Sequence, residues 1–195
     1  MKKYIFTIFV SFISLSSYSY MQLSFGAGIT NYDTPSFDGS SGTYYIDFDG
    51  YTEQNMTYTV GYSYTFTTYY TGFSSIDQDI GALNAGLGYA FGDLEQGAFT
   101  LGGNYVTWNY SEGGYSSLVG NDLIINLAYE RMSGEGTNYS VGLSLLTQCD
   151  NDESCETIFG QAEFPVGASN NWNFRLRGAL SDGAYAILVG PTLKF

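Results

Sequence analysis

The sequence predicts an all-β protein: a transmembrane antiparallel up-and-down β-barrel of about ten strands. Three observations carry this. Apolar and aromatic residues recur at every second position in run after run, which is strand periodicity and not a helical stripe. The faces opposite those rows are built of Gly, Ser, Thr, Asn and Ala. A soluble domain covers itself with about 25–35% charged residues at its surface, yet this chain of 195 residues is only 13% charged and is 18% aromatic, with 19 Tyr. Clusters of Gly, Asn, Asp and Ser punctuate the runs as turns do.

The N-terminus has its own pattern. Lys2 and Lys3 precede an apolar run over 4–15, followed by small residues at Ser17 and Ser19. A basic start, a short apolar stretch and a small-x-small site predict a cleaved N-terminal signal helix, residues 1–19, cut between Ser19 and Tyr20. The run is too short to cross a bilayer as a helix, which takes about 20 residues. Residues 20–195 then form one barrel domain. Without Lys2 and Lys3, four cations (Arg131, Arg175, Arg177 and Lys194) face 19 acids, a formal charge of −15. No basic patch can be assembled from four cations, so nucleic acid is excluded as a partner.

The clearest strand covers 55–67. Met56, Tyr58, Val60, Tyr62, Tyr64 and Phe66 share one face, while Thr57, Thr59, Gly61, Ser63 and Thr65 share the other. Similar rows run Leu23-Phe25-Ala27-Ile29, Tyr44-Ile46-Phe48, Leu83-Ala85-Leu87-Tyr89-Phe91, Leu123-Ile125-Leu127-Tyr129 and Tyr139-Val141-Leu143-Leu145. Less regular segments at 99–108, 157–166 and 172–180, with a terminal one at 185–195, bring the count to ten. Eight remain if the hairpin at 44–48 belongs to an outer loop. Barrels of this kind have an even strand number, with short turns at the inner end and longer loops at the outer end. That alternation places turns near 50–54, 92–96, 133–137 and 168–171 inside. Loops near 30–42, 67–79, 111–121 and 149–156 lie outside, with a short one at 181–183. Aromatics near strand ends suggest two interfacial girdles: Tyr89, Phe91, Tyr129, Trp172 and Phe195 within, and Tyr64, Phe66, Tyr69, Tyr105 and Tyr185 without.

In the terminal segment Tyr185, Ile187, Val189, Pro191, Leu193 and Phe195 alternate with small or polar residues, and the chain ends on Phe195. This resembles the C-terminal assembly signal of bacterial outer-membrane β-barrel proteins, carried here by Tyr185, Ile187, Val189, Leu193 and Phe195. Pro191 departs from the pattern because it lacks a ladder donor. The resemblance implies a Gram-negative outer-membrane location, a lipid and lipopolysaccharide environment, and recognition by the barrel-assembly machinery.

Histidine is absent, so neither a Ser-His nor a Cys-His nucleophile pair can be built. Asp47/Asp49 and Asp77/Asp79 are acid pairs at i,i+2 spacing, common by chance and without a cleft to serve. The expectation is no enzyme and no cofactor. Cys149 and Cys155 share one polar segment. In an exported chain such a pair is expected to form a disulfide, worth roughly 2 kcal/mol for so short a loop. A metal set is the alternative, poorly served by two thiols without His. Arg175 and Arg177 alternate with apolar neighbours and point into the lumen. Glu130, Glu163 and Lys194 have the same inward parity. Buried charges must be paired, which predicts a lumen charge network that fills and stiffens the barrel. The rival is a charged constriction in a narrow pore. Acids in the outer loops (Asp33, Asp38, Asp77, Asp79, Glu112, Asp150, Asp152, Glu153, Glu156 and Asp182) offer oxygen ligands for divalent cations. Three functions therefore stand: a structural or surface-interaction protein of the outer membrane with a largely filled lumen, a narrow porin-like channel for small solutes or ions, and a soluble secreted lipocalin-like binding barrel.

Overall fold

The computed structural model describes residues 18–34, 37–70, 75–113, 115–133, 136–147, 155–167 and 171–195. Ten strands follow in chain order: β1 (Tyr18–Thr34), β2 (Phe37–Thr52), β3 (Met56–Tyr70), β4 (Ser75–Phe91), β5 (Ala98–Glu112), β6 (Tyr115–Arg131), β7 (Asn138–Leu146), β8 (Glu156–Pro165), β9 (Trp172–Ser181) and β10 (Ala184–Lys194). Each pairs antiparallel with its sequence neighbours, and β10 closes onto β1. The hairpin at 44–48 is part of a full wall strand, since β2 pairs along its length with β1, so the eight-strand alternative falls. Following directly opposed residues once around the wall leads from Tyr32 to Tyr20, a stagger of twelve residues. Closure with such a stagger requires tilted strands, about 35–45° from the axis.

The wall is inside out relative to a soluble protein. Leu101, Leu127, Val141, Ile158 and Leu180 project outward and are exposed, while Gln22, Glu163, Asn173 and Arg175 are fully buried in the lumen. The soluble lipocalin-like arrangement needs those apolar rows on the inside, and it is not what this sheet does. The row read on β3 is outward for Tyr62 and Phe66, but Tyr58 is buried. It lies over Gly50 and donates to the Tyr20 carbonyl at 3.3 Å. Aromatic rings gather at both ends. Tyr89 packs edge-on to Phe91, as Phe99 does to Tyr129, each at 5.2 Å, with Trp172 and Phe195 exposed nearby. At the opposite end Tyr64 and Tyr44 stack on Phe66, with Tyr105 and Tyr185 exposed. The Tyr69 side chain lies outside the described residues.

The outer end differs from the sequence expectation. Much of what reads as loop at 30–42, 67–79 and 111–121 is ladder, because β1 to β6 are 15–17 residues long while β7 to β10 are 9–11. About 9–11 tilted residues cross a bilayer. The first six strands therefore carry a wall beyond the lipid on one side of the barrel. β6 meets β7 only over Ile124–Arg131, leaving its first half above that partner. Out there apolar residues do not alternate regularly, and Leu118 and Val119 stand side by side, so no period-2 row marks the strand in the sequence.

At the inner end the β2–β3 turn is closed by Asn55 at φ 61, a left-handed conformation that Asn tolerates. The β4–β5 turn does more than connect. Gly92 and Gly97, at φ 130 and 119, bracket it, and Asp93 holds it by accepting from Glu95, Gln96 and Gly97 amides. This folds Leu94 into the mouth of the barrel, 1% exposed, against Tyr20, Tyr51, Ala90, Ala98 and Met132. The Met132 amide donates to the Leu94 carbonyl at 2.9 Å, and Arg131 Nε donates to the Glu95 carbonyl at 2.9 Å. Tyr20 stacks on Tyr51 at 5.6 Å. The mouth is thus stopped by an apolar plug that the sequence shows only as a turn.

The closing seam between β1 and β10 is less regular. Its partners run from Tyr32↔Ala184 to Ala27↔Val189 and resume at Ser24↔Thr192, skipping Phe25 and Gly26 opposite Gly190 and Pro191. Pro191 has no N–H to give. A Cβ on Gly190 would stand 2.0 Å from the Phe25 carbonyl oxygen, so only glycine permits this approach. Leu94→Ala is expected to lower stability by about 2–5 kcal/mol, read as equilibrium unfolding in detergent. The same truncation at outward-facing Leu101 is expected to cost less.

Candidate functional site: the charged lumen

Strand parity aims each polar group inward. On β9, Arg175 and Arg177 alternate with outward Phe174 and Leu176; on β2, Asp47 and Asp49 alternate with outward Ile46 and partly covered Phe48. Register then makes neighbours of them. Glu163 lies opposite Arg175 and Gln161 opposite Arg177 across the β8–β9 pair, while Gln22 lies opposite Asp49 across β1–β2. These two cross-strand groups meet in the lumen.

Arg175, with 0% exposure, is the hub. Its Nε donates to Glu163 Oε1 at 2.7 Å, and its Nη2 donates to both Asp49 oxygens at 3.1 and 3.0 Å. Asp47 Oδ2 stands 4.0 Å from its Nη1. Arg177 donates to Asp47 at 2.8 Å and to Gln161 at 3.1 Å, and lies over the Tyr45 ring at 5.3 Å. Amides fill the remaining acceptor positions. Gln22 Nε2 bridges Asp49 and Glu163, each at 3.0 Å. Asn138 Nδ2 donates to Glu163 at 3.2 Å and to the Tyr20 hydroxyl at 2.8 Å, and Tyr20 in turn donates to Gln22. A guanidinium out of water is tolerable only with this density of charge-assisted bonds.

Of the five residues expected to form the network, Glu163 and Arg175 are joined directly, and Arg177 is linked to them through Asp47 and Gln161. Lys194 is inward and buried at the inner rim, but among the described residues it pairs with no acid. Its ammonium donates to the Ser133 carbonyl at 3.2 Å, faces the Tyr20 ring at 5.8 Å, and lies 2.9 Å from the Asn173 side-chain amide. Glu130 is inward on β6 and hydrogen-bonded to Thr100, and among the described residues no ion pair joins it to the arginines. Sequence reasoning took Asp47 and Asp49 for a chance acid pair and passed over Gln22, Asn138 and Gln161. The available signal was their parity opposite apolar rows. The Asp77 carboxylate accepts from Thr68 at 2.8 Å and stands apart from this cluster. Cys149, Asp150, Asp152 and Glu153 lie outside the described residues.

The filling is one-sided. Opposite the cluster, Gly86, Gly88 and Gly102 on β4 and β5 project no side chain. Beside them remains a cavity of about 360 Å³ bordered also by Asn84, Asn104 and Asn126. Arg175→Met should cost about 3–5 kcal/mol in equilibrium unfolding, because Asp49 and Glu163 would be left as uncompensated buried charges. Arg177→Met should cost less, since its side chain is 30% exposed and screened by water.

The barrel is similar to several solved structures. The translocator domain of the autotransporter NalP from Neisseria meningitidis matches with a TM-score of 0.50 and 14% identity, over 100% of this chain and 95% of that one. Neisserial surface protein A gives a TM-score of 0.45 at 10% identity, covering 90% of this chain and 94% of that one. The outer membrane protein OprG from Pseudomonas aeruginosa gives 0.45 at 9%, covering 92% and 97%. No protein-family profile matches the chain, and no curated protein matches it. At these identities the likeness concerns the fold. Closed wall, outward apolar rows and polar lumen together give this chain the fold of the outer-membrane β-barrel proteins.

Proposed function

We propose that this chain is an integral outer-membrane protein with a structural and surface-interaction role, non-catalytic, its lumen braced by the Arg175 cluster. The observation that carries the reading is the exposed apolar belt on a closed wall, a surface that only lipid can solvate without penalty. The one-sided wall of β1 to β6 beyond that belt supports contact with partners outside the cell. The lack of any His in the chain supports the non-catalytic reading.

The finer parts of the proposal each have a supporting feature. Residues 1–17 lie outside the described residues, but the regular β1–β2 ladder starts at Tyr20, after an irregularity between Tyr18 and Tyr20. Cleavage between Ser19 and Tyr20 would therefore spare the ladder. Tyr185, Ile187 and Val189 face outward and Phe195 is exposed, which suits recognition of the last strand by the barrel-assembly machinery. A Cys149–Cys155 disulfide would staple the β7–β8 connection, and lipopolysaccharide would meet the acidic outer wall, with divalent cations as bridges.

A narrow pore is the second reading, favoured by the residual cavity and opposed by the Leu94 plug. Two measurements separate the readings. In brominated-lipid vesicles, a variant retaining only outward-facing Trp172 should be quenched strongly, and one retaining only Trp108, whose indole donates to Asp122 at 2.7 Å, should be spared; equal protection of both would remove the membrane reading. In planar bilayers the native protein should be electrically silent, whereas steady single-channel conductance would establish the pore.

A further inference from the structure

We propose that the lumen is a blind pocket that holds one small monovalent cation against Glu130. The inference begins with charge. Five acids face inward, Asp47, Asp49, Glu130, Glu163 and, toward the outer end, Asp122; the arginines of the cluster serve three of them, and Asp122 accepts from the Trp108 indole. Lys194 directs its ammonium to Ser133, Asn173 and the Tyr20 ring. Glu130 is thus the inward acid of the inner half that, among the described residues, has no ion-pair partner; Asp49 adds repulsion from its own negative charge, and Arg177, which also borders the cavity, is held by Asp47.

The second observation is space. Glu130 borders the cavity of about 360 Å³, where Thr57, Thr100, Asn104, Asn126 and Ser140 also lie. Hydroxyl, amide and carboxylate oxygens are the donors that hard cations and small ammonium ions take. A divalent site needs more charge than this: among the described residues no three acidic or thiol ligands converge. A carboxylate in a low-dielectric interior either binds a proton or is matched by a cation, and here there is room and donor chemistry for the cation.

The third is access. The inner end is stopped by Leu94, packed with Tyr20, Tyr51 and Met132. Toward the outer end the lumen is lined by hydroxyls such as Thr30, Thr43 and Thr65, linked to one another, and by the Trp108–Asp122 pair. The pocket therefore fills from outside and does not empty through the inner mouth.

The test is made on the folded protein in detergent, following the unfolding midpoint as potassium chloride or methylammonium chloride is titrated in separate arms. Tenfold excess over the dissociation constant should raise the midpoint by about 3 °C or more. Glu130→Gln should abolish that rise, Glu130→Asp should retain part of it, and Asp182→Asn, on the exposed β9–β10 turn, should leave it intact. A response to potassium alone identifies an alkali ion, and a response to methylammonium alone identifies an organic ammonium. No response in the native protein, or an equal response in Glu130→Gln, overturns the proposal. Should Glu130→Gln fail to fold, esterification of Glu130 in the native protein by a diazo compound, which releases dinitrogen and is not intercepted by an amine, decides the matter: slowing by either cation supports the site, and an unchanged rate overturns it. Neither readout depends on a surface-interaction role.

Discussion

A sheet in hydrocarbon has no water to satisfy an open edge, so the wall must close on itself, and nearly everything else here descends from that closure. Ten strands make a narrow cylinder, and the narrowness decides the interior. Two large side chains cannot face each other everywhere across such a lumen. Glycine and threonine therefore line β3 to β5, and the bulky polar groups crowd onto β1, β2, β8 and β9. The outward residues answer to a different solvent, which is why leucine is exposed and arginine is buried in the same strand pairs.

The Arg175 cluster is the mechanical complement of closure. Hydrogen bonding round the wall fixes neighbours, but it leaves opposite walls independent. Arg175 ties β9 and β8 to β2 and, through Gln22, to β1. It sits just above the Leu94 plug, so the inner half of the barrel is braced by charge and sealed by apolar packing. The free space that remains lies beside the cluster, against the small residues of β4 and β5.

Much of this was legible in the sequence, because a period of two states both the element and its face. The row from Met56 to Phe66 and the terminal row to Phe195 declared strands and their lipid side. Arg175 and Arg177 were assigned to the lumen by parity alone. What parity cannot give is the partner. Asp49 is 126 residues from Arg175 in sequence, and only the closed register brings them together. The outer ends of β1 to β6 were read as loops because water touches both faces there and erases the alternation. Leu94 was read as part of a polar turn, since nothing local says whether a turn folds outward or back into the mouth.

The interrupted seam between β1 and β10 has a kinetic meaning. These strands hold the two ends of the barrel, so no hairpin turn joins them, and their ladder is interrupted. Gly26, Gly190 and Pro191 interrupt the pairing at mid-height. A barrel with one perforated line has a preferred place to part, and thermal breathing will run along that line before it reaches any other hairpin.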